Sequence, residues 1–128
     1  EGNKRPLSSM SPTIITKDDK PVIMIGGAGG PRIITAVLQS IINIIDFDLS
    51  VAEAISQPRF HQQYLPNLFY LENGFSKETI DFLEQKGYDL VKKKKLGSVQ
   101  IIGWDSTKEI FTGSSDIRVR KGIGSKGY

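Results

Sequence analysis

The chain has 128 residues, no cysteine, one histidine and a formal net charge of +3 at pH 7. This composition excludes disulfides, thiolate metal sites, cysteine nucleophiles and a multi-histidine metal site within the chain. The charge is modest and lacks interleaved aromatic residues, so it does not indicate nucleic-acid binding, and no apolar run is long enough to span a bilayer. The length suits a single segment, residues 1–128.

The regular structure begins with a predicted β-hairpin. Residues 12–16 and 21–25 are short runs rich in β-branched side chains, and the polar residues 17–20 between them are typical of a turn. The second run is almost wholly apolar, which predicts a strand covered on both faces of its sheet.

A long amphipathic helix is predicted next. Pro31 suits the first helical position, where its missing N–H group needs no partner, and apolar residues recur at three- and four-residue spacing from Ile33 to Ile45. Because this run is rich in β-branched residues of low helix propensity, burial must stabilise it, and we expect a core helix.

Two shorter helices are indicated by the residues at their ends. Residues 48–56 contain Ser50 as an N-cap and Glu53 three positions later, which together form a capping box. A third helix is expected to begin after the N-cap Ser76 and to end before Gly87, which can adopt the left-handed conformation found after helices.

The remaining segments read as strands and one loop. Strands are predicted at residues 68–71, 88–92, 99–104 and 109–112, and residues 59–64 are expected to form a polar and aromatic loop. The lysine run of residues 92–95 is expected to be a solvated strand end. These elements indicate an α/β (α+β) fold in which helices pack on a mostly antiparallel sheet.

The glycine cluster between the second strand and the first helix has the features of an anion site. Residues 26–32 read GGAGGPR, and the N–H groups of Gly29 and Gly30 at a helix N-terminus can point at negative charge. The spacing matches neither a dinucleotide fingerprint nor a Walker loop. A tight strand-to-helix turn without a ligand explains the spacing equally well.

Other polar residues are weaker candidates. Ser8 and Ser9 lie on an extended segment between two prolines, so their hydroxyls could orient a carboxylate or an amine, or bond nearby backbone instead. His61 is better explained as a hydrogen-bonded structural residue than as the base of a serine nucleophile. Asp116 and Arg118, two positions apart, are expected to pair with each other or with backbone.

Several stretches match, in order and content, the motifs of one known family. Residues 4–13 read KRPLSSMSPT, like a serine-pair motif, and residues 26–35 read GGAGGPRIIT, like a glycine loop and the helix after it. Residues 58–63 (PRFHQQ), 113–118 (GSSDIR) and 127–128 (GY) are similar to three further segments. The chain as a whole resembles the small subunit of the γ-glutamyltransferase (γ-glutamyl transpeptidase) family.

This resemblance implies a fold and a reaction. The fold would be the αββα sandwich of N-terminal-nucleophile hydrolases, with residues 1–128 as the C-terminal portion of the small subunit. In the implied reaction a new N-terminal threonine, produced by self-cleavage of a precursor, attacks the γ-glutamyl amide of glutathione or a related compound. The acyl group then passes to water or to an amino-acid or peptide amine. Gly29 and Gly30 would donate N–H bonds to the oxyanion, and Ser8 and Ser9 would hold the α-carboxylate and α-amino end of the glutamyl group.

The resemblance also implies partners and a location. The large subunit and the remainder of the small subunit of the same precursor would complete the site, without cofactor, metal, nucleic acid or membrane. Bacterial members are usually periplasmic or secreted. The chain begins with Glu1, and Thr13, Thr16 and Thr35 are internal, so we expect the isolated chain to be inactive.

The sequence departs from the family pattern in the glycine loop, which bears on substrate preference, and at Ile117, which concerns only a tail segment. The family loop usually reads GSPGGS, whereas Gly27, Ala28 and Pro31 stand here in place of its first serine, its proline and its last serine, and Ile117 stands where a proline is usual.

Poly-γ-glutamate or a β-lactam side-chain amide remains an alternative substrate. The alternative function is a non-catalytic binding or structural module for a small anionic amino-acid derivative.

Overall fold

A computed structural model describes residues 2–6 and 8–119 of the chain. The resemblance noted for residues 127–128 lies outside the described residues. The elements in chain order are β1 (Thr13–Lys17), β2 (Lys20–Ala28), α1 (Arg32–Ile45), α2 (Val51–Ser56), β3 (Phe60–Gln62), β4 (Phe69–Leu71), α3 (Lys77–Gln85), β5 (Leu90–Lys92), β6 (Ser98–Asp105) and β7 (Ile110–Ser115). The predicted α/β class is confirmed. None of the helices in the described part of the chain is long and apolar enough to cross a membrane.

The strands form two sheets rather than one. The larger is a four-stranded antiparallel sheet of order β1-β2-β6-β7, which includes the predicted hairpin. The smaller has the order β3-β4-β5, with β3 antiparallel and β5 parallel to β4. The parallel pair is joined through α3, because parallel neighbours need a crossover that a tight hairpin cannot provide.

The two faces of the larger sheet differ in burial. Ile23 and Ile25 of β2 and Ile101 of β6 are buried in the core beneath α1. On the opposite face Ile14 of β1 is 68% exposed and Ile102 of β6 is 45% exposed. The expectation of a strand covered on both faces is therefore not met by the described residues, since side chains alternate between faces and the helices lie on one face only. One covered face and one open apolar face is the layer pattern of one half of an αββα sandwich.

Helix α1 is half buried rather than buried all round. Its core-facing positions are Ile33, Ala36, Val37 and Ser40. Its outer positions Ile34, Leu38 and Ile45 are each more than half exposed. The apolar spacing predicted the helix correctly, but the described chain covers only one side of it. The sequence predicted Pro31 as the first helical residue. In the structure Pro31 is the N-cap, and the helix begins one residue later at Arg32.

The predicted ends of the shorter helices are confirmed, and one strand was missed. Ser50 and Glu53 form a complete capping box at α2, Ser76 caps α3, and Gly87 has a positive φ of 83°. Residues 60–62 of the expected loop form β3, which pairs with β4. Three residues are too short a run for strand periodicity to stand out, so pairing with β4 decides this element.

Four charged side chains are buried together where the two sheets meet. They are Arg59 before β3, Glu72 after β4, and Asp116 and Arg118 after β7, and we call them the charge cluster. Arg59 Nη1 lies 2.6 Å from Asp116 Oδ2, Arg118 Nε donates to Glu72 Oε1 at 2.8 Å, and Arg118 Nη1 lies 3.1 Å from Asp116 Oδ1. Asp116 and Arg118 thus pair with each other and with backbone, as expected.

The charge cluster also satisfies backbone groups that regular structure leaves unpaired. Glu72 accepts from the N–H of Arg59 at 3.0 Å and of Leu96 at 2.6 Å. Asp116 accepts from the N–H of Val99 at 2.9 Å. Both arginines donate to the carbonyl of Ile55 in α2. Among the described residues no buried side-chain nitrogen or oxygen lacks a partner, which is the condition under which buried ion pairs are tolerated.

The two carboxyl groups of the cluster have lowered pKa values. Burial acts to raise the pKa of Glu72, but hydrogen bonds from Arg118 and from the Leu96 N–H outweigh it and hold that pKa below its ordinary value. Burial likewise acts against the Asp116 carboxylate, and the Arg118 N–H and the charge of Arg59 overcome it, so the pKa of Asp116 is also lowered. Stabilisation of this kind is complete above the unfolded-state pKa and is lost as pH falls through the folded-state pKa.

We therefore expect the free energy of unfolding to fall as pH drops below about 4, near the ordinary pKa values of Asp and Glu. Glu72→Gln should lower it by about 3–5 kcal/mol at pH 7, because Arg118 then loses one of its two buried counter-charges. It should also flatten the decrease below about pH 4, since one of the two titrating carboxyl groups is gone. Denaturant unfolding of the complete gene product at a series of pH values measures both effects. Glu84→Gln, at an exposed position of α3, is the control, and equal pH dependence in the wild type and Glu72→Gln would contradict the expectation.

Candidate active site

The glycine loop, residues 26–32, joins the end of β2 to the start of α1. Gly29 has φ of +140° and Gly30 has φ of +63°, values that L side chains rarely adopt. The Ile33 N–H donates to the Gly30 carbonyl at 3.0 Å and closes the turn into the helix. The glycines are therefore required by the way the chain passes from strand to helix.

The N–H groups of Gly29 and Gly30 have no hydrogen-bond partner among the described residues. Within residues 2–6 and 8–119, no oxygen accepts a hydrogen bond from either group. They precede a helix of 14 residues, whose dipole adds positive potential at this end. Two free donors in a positive field are suited to an oxygen that carries or develops negative charge.

Ser8 and Ser9 lie on the segment that leads into β1. Thr13 at the start of β1 pairs with Ile25 near the end of β2, so this segment and the glycine loop leave the sheet at the same end. Ser8 is exposed and its Oγ accepts from the Met10 N–H at 3.2 Å. Ser9 is partly buried, and its hydroxyl bonds to no residue of the described chain. The two groups of candidate residues are therefore neighbours in the topology.

His61 is a structural residue in this arrangement. It is buried, its Nδ1 lies 2.8 Å from Thr35 Oγ1 of α1, and its Nε2 lies 2.8 Å from Gln63 Oε1. In the next turn of α1, Gln39 bonds both the N–H and the carbonyl of Phe60. These contacts attach α1 to β3, and His61 does not pair with a serine.

Two cations near the glycine loop have no acidic partner among the residues that the structure describes. The Arg32 guanidinium lies 5.6 Å from the ring centroid of Tyr70, and Lys93 Nζ lies 5.2 Å from the same centroid. Neither forms an ion pair with any residue that the structure describes. Lys93 is partly buried, so the lysine run is not simply a solvated strand end. The unbalanced charge favours an anionic ligand here.

Sequence reasoning missed one residue of this region. Gly97, with φ of +75°, packs directly on Gly29, and a Cβ built on Gly29 would lie 2.7 Å from the Gly97 Cα. A single glycine after a lysine run carries no local signal of such a contact. Only the pairing of β2 with β6 brings these two backbones together.

A family model and a curated relative both match this chain, and they point to the same family. The sequence matches the family model described as gamma-glutamyltranspeptidase over residues 1–125. It is 51% identical over 116 residues to the glutathione hydrolase proenzyme of Escherichia coli K12, a match covering 91% of this chain and 20% of that protein.

The solved structures agree. A variant γ-glutamyltranspeptidase from Helicobacter pylori superposes with a TM-score of 0.85 at 45% identity, covering 93% of this chain and 66% of the other. The transpeptidase CapD of Bacillus anthracis superposes with a TM-score of 0.78 at 30% identity, covering 98% of this chain and 75% of the other. The chain thus spans about a fifth of the length of the curated relative from E. coli. It belongs to the γ-glutamyltranspeptidase family.

Proposed function

We propose that this chain is part of an enzyme that cleaves γ-glutamyl amide bonds and transfers the glutamyl group to water or to an amine through a threonine acyl-enzyme. The observation that carries the proposal is the pair of N–H groups on Gly29 and Gly30 before α1, which bond to no residue in the described part of the chain. Relatives named glutathione hydrolase proenzyme support glutathione or another γ-glutamyl compound as the donor.

In this proposal each segment has one task. Attack on the γ-carbonyl moves charge onto its oxygen, and the Gly29 and Gly30 N–H groups stabilise that oxygen more strongly in the transition state than in the substrate. Ser8 and Ser9 bind the α-carboxylate and α-amino end of the same glutamyl group. A glutamyl group separates these ends by only a few bonds, which suits two segments leaving one end of a sheet.

The nucleophile and further binding groups come, in this proposal, from the large subunit and the remainder of the small subunit of the same precursor. The open apolar face of the four-stranded sheet supports such partners, because exposed side chains such as Ile14, Ile102, Trp104 and Phe111 favour contact with another layer. The name proenzyme, given to the relatives, also supports a precursor. A non-catalytic module remains the second candidate, and it would bind a γ-glutamyl compound without turnover.

We expect Gly29→Ala in the complete gene product to lower kcat by about 10²–10³-fold, the usual effect of losing an oxyanion donor. A Cβ at Gly29 meets the Gly97 backbone at 2.7 Å and the φ of +140° is unsuited to alanine, so the N–H must move. Gly30→Ala should have a smaller effect, because its Cβ would enter open space. Release of p-nitroaniline from γ-glutamyl-p-nitroanilide measures both, and undiminished turnover by Gly29→Ala would refute the assignment.

Ser8→Ala and Ser9→Ala should each raise KM for the γ-glutamyl donor by about tenfold or more, because a hydrogen bond to a charged group contributes about 1.5–3 kcal/mol. The effect should vanish for a donor analogue that lacks the α-carboxylate and α-amino groups. Steady-state kinetics with both donors tests this expectation. Ser106→Ala, in the turn after β6, is the control, and a change in KM equal to that control would contradict it.

The isolated 128-residue chain should release no p-nitroaniline above background, because none of its own threonines stands at its N-terminus. The same assay on the complete gene product should show turnover. Robust activity of the isolated chain would refute the proposed division of the site, and a complete product that binds γ-glutamyl compounds without turnover would favour the binding module.

A further inference from the structure

We propose that Gly97 is a positioning residue for the Gly29 N–H, and that the carboxylates of Glu72 and Asp116 hold Gly97 in place. This inference rests on the proposed function, since it assigns a residue that acts through the oxyanion donor. It concerns the segment of residues 96–99, whose one polar side chain, Ser98, donates to the Ala28 carbonyl at 3.5 Å.

The first step is the contact between the two glycines. A Cβ on Gly29 would lie 2.7 Å from the Gly97 Cα and 3.5 Å from the Gly97 nitrogen, so the backbones touch. A Cβ on Gly97 would lie 3.4 Å from the Ala28 carbonyl oxygen and 3.6 Å from that of Arg32. Gly97 therefore packs against both ends of the turn, at the end of β2 and at the start of α1.

The second step is the anchoring of the segment that carries Gly97. Immediately before it, the Leu96 N–H donates to Glu72 Oε1 at 2.6 Å, and two residues after it the Val99 N–H donates to Asp116 Oδ2 at 2.9 Å. Leu96 and Val99 are 1% and 0% exposed. Both flanks of Gly97 are thus bonded to buried carboxylates, and the segment cannot shift without breaking its hydrogen bonds to the charge cluster.

The third step separates the effect of Gly97 on kcat from its effect on KM. A displaced Gly97 moves Gly29 but leaves Ser8 and Ser9, which lie on the segment before β1. Oxyanion stabilisation depends steeply on donor geometry, whereas binding of the unreacted glutamyl group depends on these donors far less. The positioning role therefore predicts a loss in kcat with an unchanged KM.

The test compares Gly97→Ala with Gly87→Ala in the complete gene product. Both glycines have a similar positive φ, +75° and +83°, but a Cβ on Gly87 meets nothing within 4 Å. The two variants therefore carry similar backbone strain, but only the new methyl group of Gly97→Ala comes into contact with the glycine loop, 3.4 Å from the Ala28 carbonyl oxygen, so only there does relief of the strain act on the loop. We expect Gly97→Ala to lower kcat by roughly tenfold or more, with KM and the affinity for L-glutamate within about twofold of wild type. Affinity for a boronic acid whose tetrahedral adduct imitates the intermediate should fall in parallel with kcat.

The proposal is overturned if Gly97→Ala behaves like Gly87→Ala, or if KM and L-glutamate affinity worsen as much as kcat. Should Gly97→Ala not fold, hydrogen exchange in the wild type decides instead. Boronate binding should then slow exchange in residues 96–99 together with residues 29–30, and unchanged exchange in residues 96–99 would overturn the proposal. A wild type without γ-glutamyl turnover would instead refute the proposed function, and the wild-type assay therefore precedes the variants.

Discussion

Buried charge pairing at the junction of the two sheets is the constraint on which the rest of the structure depends. The charge cluster brings together four residues from three separated points of the chain, and each carboxylate also accepts from a backbone N–H of the segment before or within β6. An unpaired charge at such depth costs several kcal/mol, so the four residues must be buried together. The arrangement of the sheets is therefore cooperative. If one sheet moved relative to the other, a buried charge next to one sheet would lose its ion-pair partner next to the other.

The cluster matters for the candidate site because of what its carboxylates hold. They fix the start of β6, and the start of β6 packs against the glycine loop through Gly97. On the other side, Thr35 and Gln39 of α1 are bonded to β3 through His61 and Phe60. The loop with its two unbonded N–H groups is thus braced from both sides. Free donors in a rigid loop are useful because they need no reorganisation when charge develops on a bound oxygen.

The elements that the sequence predicted well are those set by local rules. The hairpin, the capping box of Ser50 and Glu53, and the Ser76 and Gly87 ends of α3 each follow from a short pattern with a direct physical cause. The missed strand β3 and the division into two sheets follow from pairing between distant segments. The burial of α1 was overestimated, because an apolar pattern shows that a helix face needs a partner but not whether this part of the chain supplies it.

The sequence by itself determined the chemical types present: a glycine pair at a helix start, adjacent hydroxyls between prolines, and a single histidine with no metal-binding companions. Tertiary structure alone decided that the glycine N–H groups bond to none of the described residues, that Gly97 packs against Gly29, and that Glu72 joins Asp116 and Arg118 in one cluster. The physical reason is sequence distance. Conformational preferences act over a few residues, whereas Arg59 pairs with Asp116 across 57 positions and Arg118 with Glu72 across 46, and only folding brings such partners together.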